Sequence, residues 1–157
     1  MKESCIFEQY NFYRGITVEL LDSVVSEEQA DQIPKGHRNS LRWNLGHIPV
    51  LQEWAMFSYG MNRPGEIPVG VYEAFKPETS PADWTTQPLT LKEIRELLLD
   101  QEERIKMTFS GKMDDSLINK FDLLGRKIEK VGDLFVFTLW HEGLHQGIIE
   151  SMERALK

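Results

Sequence analysis

Apolar residues recur at three- and four-residue steps in four separate stretches of this chain, a period that fits a helix and excludes a half-buried strand. In the first stretch, residues 2–25, Ile6, Phe7, Tyr10, Tyr13, Ile16, Leu20, Leu21 and Val24 share one helical face. The polar, acidic residues 26–33 follow, and Pro34-Lys35-Gly36 then breaks any continuing helix. A second helix is predicted to start at Ser40, whose hydroxyl can cap the orphan amides of a first turn. Leu41, Asn44, Leu45, Ile48, Leu51 and Ala55 mark one of its faces, and Trp43, His47, Val50 and Trp54 an adjoining one. Pro49 should interrupt it, because a residue without an amide leaves the carbonyl of Leu45 unpaired and kinks the helix. A third helix opens at Thr90-Leu91-Lys92-Glu93, a capping-box pattern, and carries Leu91, Ile94, Leu97, Leu98, Ile105 and Phe109 to a stop at Gly111. The fourth, residues 133–156, sets Leu134, Phe137, His141, His145, Ile148 and Met152 on one stripe.

Four helices read as an all-α four-helix bundle forming a single domain over residues 1–157. Residues 60–88, broken by Pro64-Gly65, Pro68, Gly70, Pro77 and Pro81, show no sustained period. Such a long link is either a crossover or a functional lid, and as a crossover it permits helices two and three to run parallel. Residues 112–131 are expected to be irregular or briefly extended around Leu124-Gly125.

Composition narrows the function classes. A net charge of −7 without a basic stripe argues against nucleic-acid binding. Uncharged stretches such as residues 134–140 are far short of the roughly 20 residues of a membrane span. The single cysteine, Cys5, cannot close a disulfide within the chain, and the first residues lack a signal pattern, so a cytoplasmic protein is expected, with Cys5 as a small buried hydrophobe.

His141 and His145 stand one helical turn apart, the spacing at which two imidazoles reach one metal ion. A pair alone can equally be two hydrogen-bonded core residues. His47, between two tryptophans on a second helix, shifts that balance, because three imidazoles buried together without a metal need several compensating hydrogen bonds. His37, in the Lys35-Gly36-His37-Arg38 loop, reads as solvated. His141-Glu142-Gly143-Leu144-His145 also spells the zinc-protease pattern, but only 12 residues follow it to supply a third ligand. Glu142 points about 100° away from His141 around the helix and is expected at the surface or behind the ligands.

The segments Ser40-Leu41-Arg42-Trp43-Asn44-Leu45-Gly46-His47-Ile48 and Leu139-Trp140-His141-Glu142-Gly143-Leu144-His145-Gln146-Gly147 resemble those of the DinB family of small metalloproteins. The resemblance, which extends to length and helix order, implies an up-down-down-up four-helix bundle with a long crossover between helices 2 and 3, often homodimeric. It implies that one histidine from helix two and two from the last helix hold a metal, here His47, His141 and His145.

Three imidazoles leave a divalent ion an open position, whereas structural zinc sites are closed by four protein ligands. Zinc or nickel is expected, with manganese or iron as further candidates. The expected activity is metal-dependent, activating water or, as in relatives that use bacillithiol or mycothiol, a low-molecular-weight thiol; the partner is then a small-molecule substrate. The alternatives are a metal- or small-molecule-binding bundle without turnover and a metal-free dimerisation module. Asn44 and Gln146 are candidates to orient a ligand imidazole, and Trp43, Trp54 and Trp140 to wall a pocket.

Overall fold

The computed structural model describes residues 2–157 and is mostly helical. Four long helices supply the frame: α1 (Glu3–Ser23), α3 (Leu41–Glu53), α5 (Leu91–Phe109) and α6 (Val131–Ala155). Short helices α2 (Glu27–Asp31) and α4 (Val69–Phe75) lie in the links. No helix among the described residues is long and apolar enough to cross a membrane.

Cross-links between the long helices give their relative directions. Along α1 and α6 the partners advance together, from Tyr10 on Phe135 to Arg14 on Glu142 to Ser23 on Glu153. Along α3 and α5 they also advance together, from Arg42 on the Leu89 carbonyl, just ahead of α5, to Arg104 on Glu53. Between α3 and α6 they run oppositely, with Asn44 on Met152 and Gln52 on Thr138. Between α1 and α5 they run oppositely too, with Glu3 at Gly111 and Asp22 at Arg95.

Capping follows the sequence closely. Ser40 accepts from the Trp43 amide at 3.2 Å. Thr90 and Glu93 form the reciprocal capping box.

The structure corrects several expectations. Residues 116–130 form a two-stranded antiparallel hairpin, β1 (Ser116–Leu123) and β2 (Arg126–Lys130), so the chain is not purely helical. Its turn residues Leu124 and Gly125 both have positive φ, the geometry that suits the twist of a two-residue hairpin loop. Leucine is an unusual occupant there, and the Asn-Gly signal that announces such turns is missing. The 60–88 segment is not structureless, since it holds α4 and a one-turn 3₁₀ helix, Pro81–Asp83. Nor does Pro49 interrupt α3. The helix runs through it to Glu53 and only then widens into a π turn, Trp54–Tyr59. All thirteen residues of α3 are buried, and that packing outweighs the one hydrogen bond a proline deletes. Cys5 is exposed, because the buried stripe of α1 is Ile6, Tyr10, Arg14, Thr17 and Leu21.

The core has two apolar clusters. One gathers Leu21, Leu41, Leu45, Ile48, Phe75, Ile94, Leu98, Ile149 and Met152, and the other Ile6, Tyr10, Phe57, Ile105, Phe109, Leu134, Phe135 and Leu139. Between them lies a layer of buried polar side chains centred on Arg14 and Glu142.

Candidate metal centre

His47 sits near the middle of α3, and His141 and His145 occupy successive turns of α6, which runs opposite to α3. Their ligand nitrogens all lie within 4.8 Å of one another. His141 Nε2 and His145 Nε2 are 3.2 Å apart. Two nitrogens on one tetrahedral ion, each at ~2.0–2.1 Å, stand about 3.3 Å apart, so the spacing suits a shared divalent cation.

Hydrogen bonds on the outer ring nitrogens determine which atoms face the centre. His47 Nδ1 lies 2.6 Å from the carbonyl oxygen of Phe75. A carbonyl only accepts, so Nδ1 carries the proton and Nε2 keeps its lone pair. His145 Nδ1 lies 2.9 Å from Asn44 Oδ1. The amide's orientation follows from its nitrogen, which donates to the Ser40 carbonyl at 2.8 Å. His145 is therefore protonated on Nδ1 as well, with Nε2 free toward His141. Outer-nitrogen partners of this kind fix the tautomer and ring orientation of metal-binding histidines.

Electrostatics agree with an all-neutral set. Burial, reinforced by the neighbouring His145 and His47, pulls the His141 imidazolium down to about 2. Burial, with His47 adding to it, pulls His145 down to about 3. Burial lowers His47 too, partly offset by its bond to the Phe75 carbonyl. Neutral imidazole is the form that binds a metal.

Local packing explains how the rings are held. Trp43 stacks on His47 with centroids 4.5 Å apart and planes 13° from parallel, and its Nε1 donates to Thr79. Gly46 admits the Phe75 ring, whose nearest atom would lie 2.4 Å from an added Cβ. That close approach brings the Phe75 carbonyl to His47, so α4 is part of the site. The role of α4 was invisible in the histidine spacing. Val71, Tyr72 and Phe75 at helical intervals between Pro68 and Pro77 were the available signal.

The centre opens onto a cavity of about 450 Å³ lined by Trp43, Asn44, His47, His145, Ile148 and the 36–39 loop. His37 is half-buried in that lining rather than free in solvent. Trp54 and Trp140 do not line it. Trp54 packs on Tyr59 beside a different depression, and Trp140 is 54% exposed against Phe137. Gln146 donates to the Tyr13 carbonyl and to Thr17, not to an imidazole. Glu142 is neither at the surface nor behind the ligands. It is 1% exposed and bonded to Arg14 and Thr17 on the α1 side of α6.

A family model of the DinB superfamily matches residues 9–149. No curated protein matches the chain. The match covers most of the chain and spans all three histidines, and the chain belongs to the DinB superfamily.

Proposed function

We propose that this DinB-superfamily protein holds one divalent metal ion, zinc or nickel before manganese or iron, on His47, His141 and His145. The observation that carries this is the convergence of three neutral imidazoles, of which His47 and His145 are held through their outer nitrogens by Phe75 and Asn44 so that each keeps its Nε2 lone pair. A cation placed between the rings would engage these lone pairs together. The whole chain is read as one domain, an up-down-down-up bundle, a reading supported by the registers of the cross-linked helices.

A bound ion supplies Lewis acidity and acidifies a coordinated water or thiol. Three protein ligands leave it a position for such a group. The adjoining cavity lies within the roughly 300–1,000 Å³ common for small-molecule sites. Both chemistries, hydrolysis and transfer of a low-molecular-weight thiol, fit an ion with such an open position. Hydrolysis calls for a general base; Glu142 is committed to Arg14 and Thr17, so that base would come from the cavity lining, where His37 and Glu78 stand. The chain's own groups have simpler roles: Trp43 walls the cavity, Asn44 and Phe75 hold the rings, and His37 stands at the mouth.

A second reading is metal or small-molecule binding without turnover, in keeping with Glu142 being tied to Arg14 and Thr17. Conjugation of bacillithiol to a model electrophile separates the two. The zinc- or nickel-loaded protein should exceed both the metal-free protein and loaded His141→Ala, and equal rates in all three would sink the enzymatic reading. A second copy of the chain is the proposed macromolecular partner, supported by exposed Val136, Trp140 and Leu144 along one stripe of α6. Sedimentation of the Trp140→Glu/Leu144→Glu variant tests it, since dimerisation should be lost.

A further inference from the structure

Arg14 lies in the middle of α1 with no solvent exposure and donates to all three of the other long helices. Its Nε and Nη2 donate to the two carboxylate oxygens of Glu142 on α6, at 3.1 and 3.3 Å. Nη2 also donates to Gln52 Oε1 on α3 at 2.7 Å. Nη1 donates to the Leu98 carbonyl on α5 at 2.8 Å, and both terminal nitrogens lie 3.3 Å from Gln101 Oε1.

The partners are cross-tied around the histidine-bearing helices. Gln101 Nε2 donates to the Pro49 carbonyl on α3, two residues beyond His47. Gln52 Nε2 donates to Thr138 on α6, one turn before His141. Thr17 donates to Glu142 at 2.6 Å, and Gln146, next to His145, donates to Thr17. Gly143 lets α1 and α6 close up, since an added Cβ there would meet the Tyr13 ring at 2.8 Å.

The geometry points to Arg14 as a positioning residue for the metal centre, holding α3 and α6 at the separation and rotation that bring His47 to His141 and His145. This rests on the reading that those imidazoles hold a metal. Apolar contacts resist sliding and rotation only weakly, whereas a metal site tolerates about 0.2 Å in its ligand distances. One residue of rotation turns a helix by about 100°, enough to carry both α6 imidazoles away from α3. A planar fork bonded to α3, α5 and α6 opposes that motion directionally. Lysine cannot copy it, having a single point of charge.

A purely structural role would alter stability alone, so the test separates stability from ligand geometry. Arg14→Met/Glu142→Leu removes both charges together, and Thr17 keeps the Tyr13 carbonyl while Gln52 keeps the Tyr10 hydroxyl. Replacing a whole buried ion pair with apolar residues commonly preserves stability. Arg14→Lys, which retains a charge for Glu142, is the second variant should the first not fold. Cobalt(II) binding followed by visible absorption, beside thermal melting of the metal-free proteins, is the measurement. In the double variant the expected result is a near-normal melt with cobalt affinity weakened roughly 10–100-fold and shifted visible bands. Arg14→Lys should show a smaller loss in the same direction. Unchanged affinity and spectrum in a folded variant, with normal uptake by wild type, overturns the role of Arg14 alone. No uptake by wild type overturns the metal reading and this one together.

Discussion

Two buried polar clusters meet α6 within a few residues of each other, and they differ in how their hydrogen bonds close. Around Arg14 and Glu142, donors and acceptors pair with one another until none is left over. Around His47, His141 and His145, the outer nitrogens of His47 and His145 are paired, while ligand nitrogens of all three rings converge on one another. Burial of a polar group is tolerated when it is satisfied and costly when it is not. A closed cluster therefore holds structure together. One whose lone pairs converge is shaped to accept a cation.

The widest separation between the clusters should come from removing a charge. Arg14→Ala strands a buried carboxylate and should lose about 3–5 kcal/mol in chemical denaturation, with metal present or absent. Asn44→Ala acts on the other cluster. It frees Nδ1 of His145 and should weaken metal binding by roughly 10–100-fold in competition with a chelator, with a much smaller effect on the metal-free melt.

Acid should divide the two clusters again. His141 and His145 have folded-state pKa values of about 2 and 3, below the ordinary histidine value, so between those values and about 6.5 the unfolded chain binds more protons. Stability is therefore present above pH 6.5 and lost as pH falls. The loss is up to about 1 kcal/mol per histidine between pH 6.5 and 5.5, reduced by whatever solvent reaches His141. A His141→Asn/His145→Asn variant should flatten that slope in denaturation series across this range. Arg14→Lys should leave it unchanged. As a control outside both clusters, Thr90→Ala should cost about 1 kcal/mol through the lost α5 cap and leave metal affinity alone.

What could be read from the sequence divides along the same line. Apolar periodicity located all four long helices, and the Ser40 and Thr90 patterns anticipated caps that the structure contains. The histidines stood out because imidazoles at core spacing are conspicuous. The Arg14 cluster did not, because counting apolar residues treats Arg14, Thr17, Gln52, Gln101 and Glu142 as solvent-facing. Their spacing was informative all the same: Ile6, Tyr10, Arg14, Thr17 and Leu21 step by three and four residues, with the two polar members in mid-stripe. On α6 the predicted stripe through Phe137, His141 and Ile148 follows the edge of the buried face, whose centre runs through Thr138, Glu142, His145 and Ile149. The hairpin was legible only as a brief extended stretch around Leu124-Gly125, because its turn is Leu-Gly and its strands lack strict alternation. The contribution of α4 depends on a backbone carbonyl, and no side-chain pattern encodes that.

X-ray absorption at the metal edge of the zinc-loaded protein reads the ligand set of the three histidines itself. One zinc per chain is expected, with three imidazole nitrogens and one further light atom at about 2.0–2.1 Å, and that signal should be lost in His47→Ala. A shell closed by four protein ligands, a sulfur ligand, or no bound zinc would contradict it.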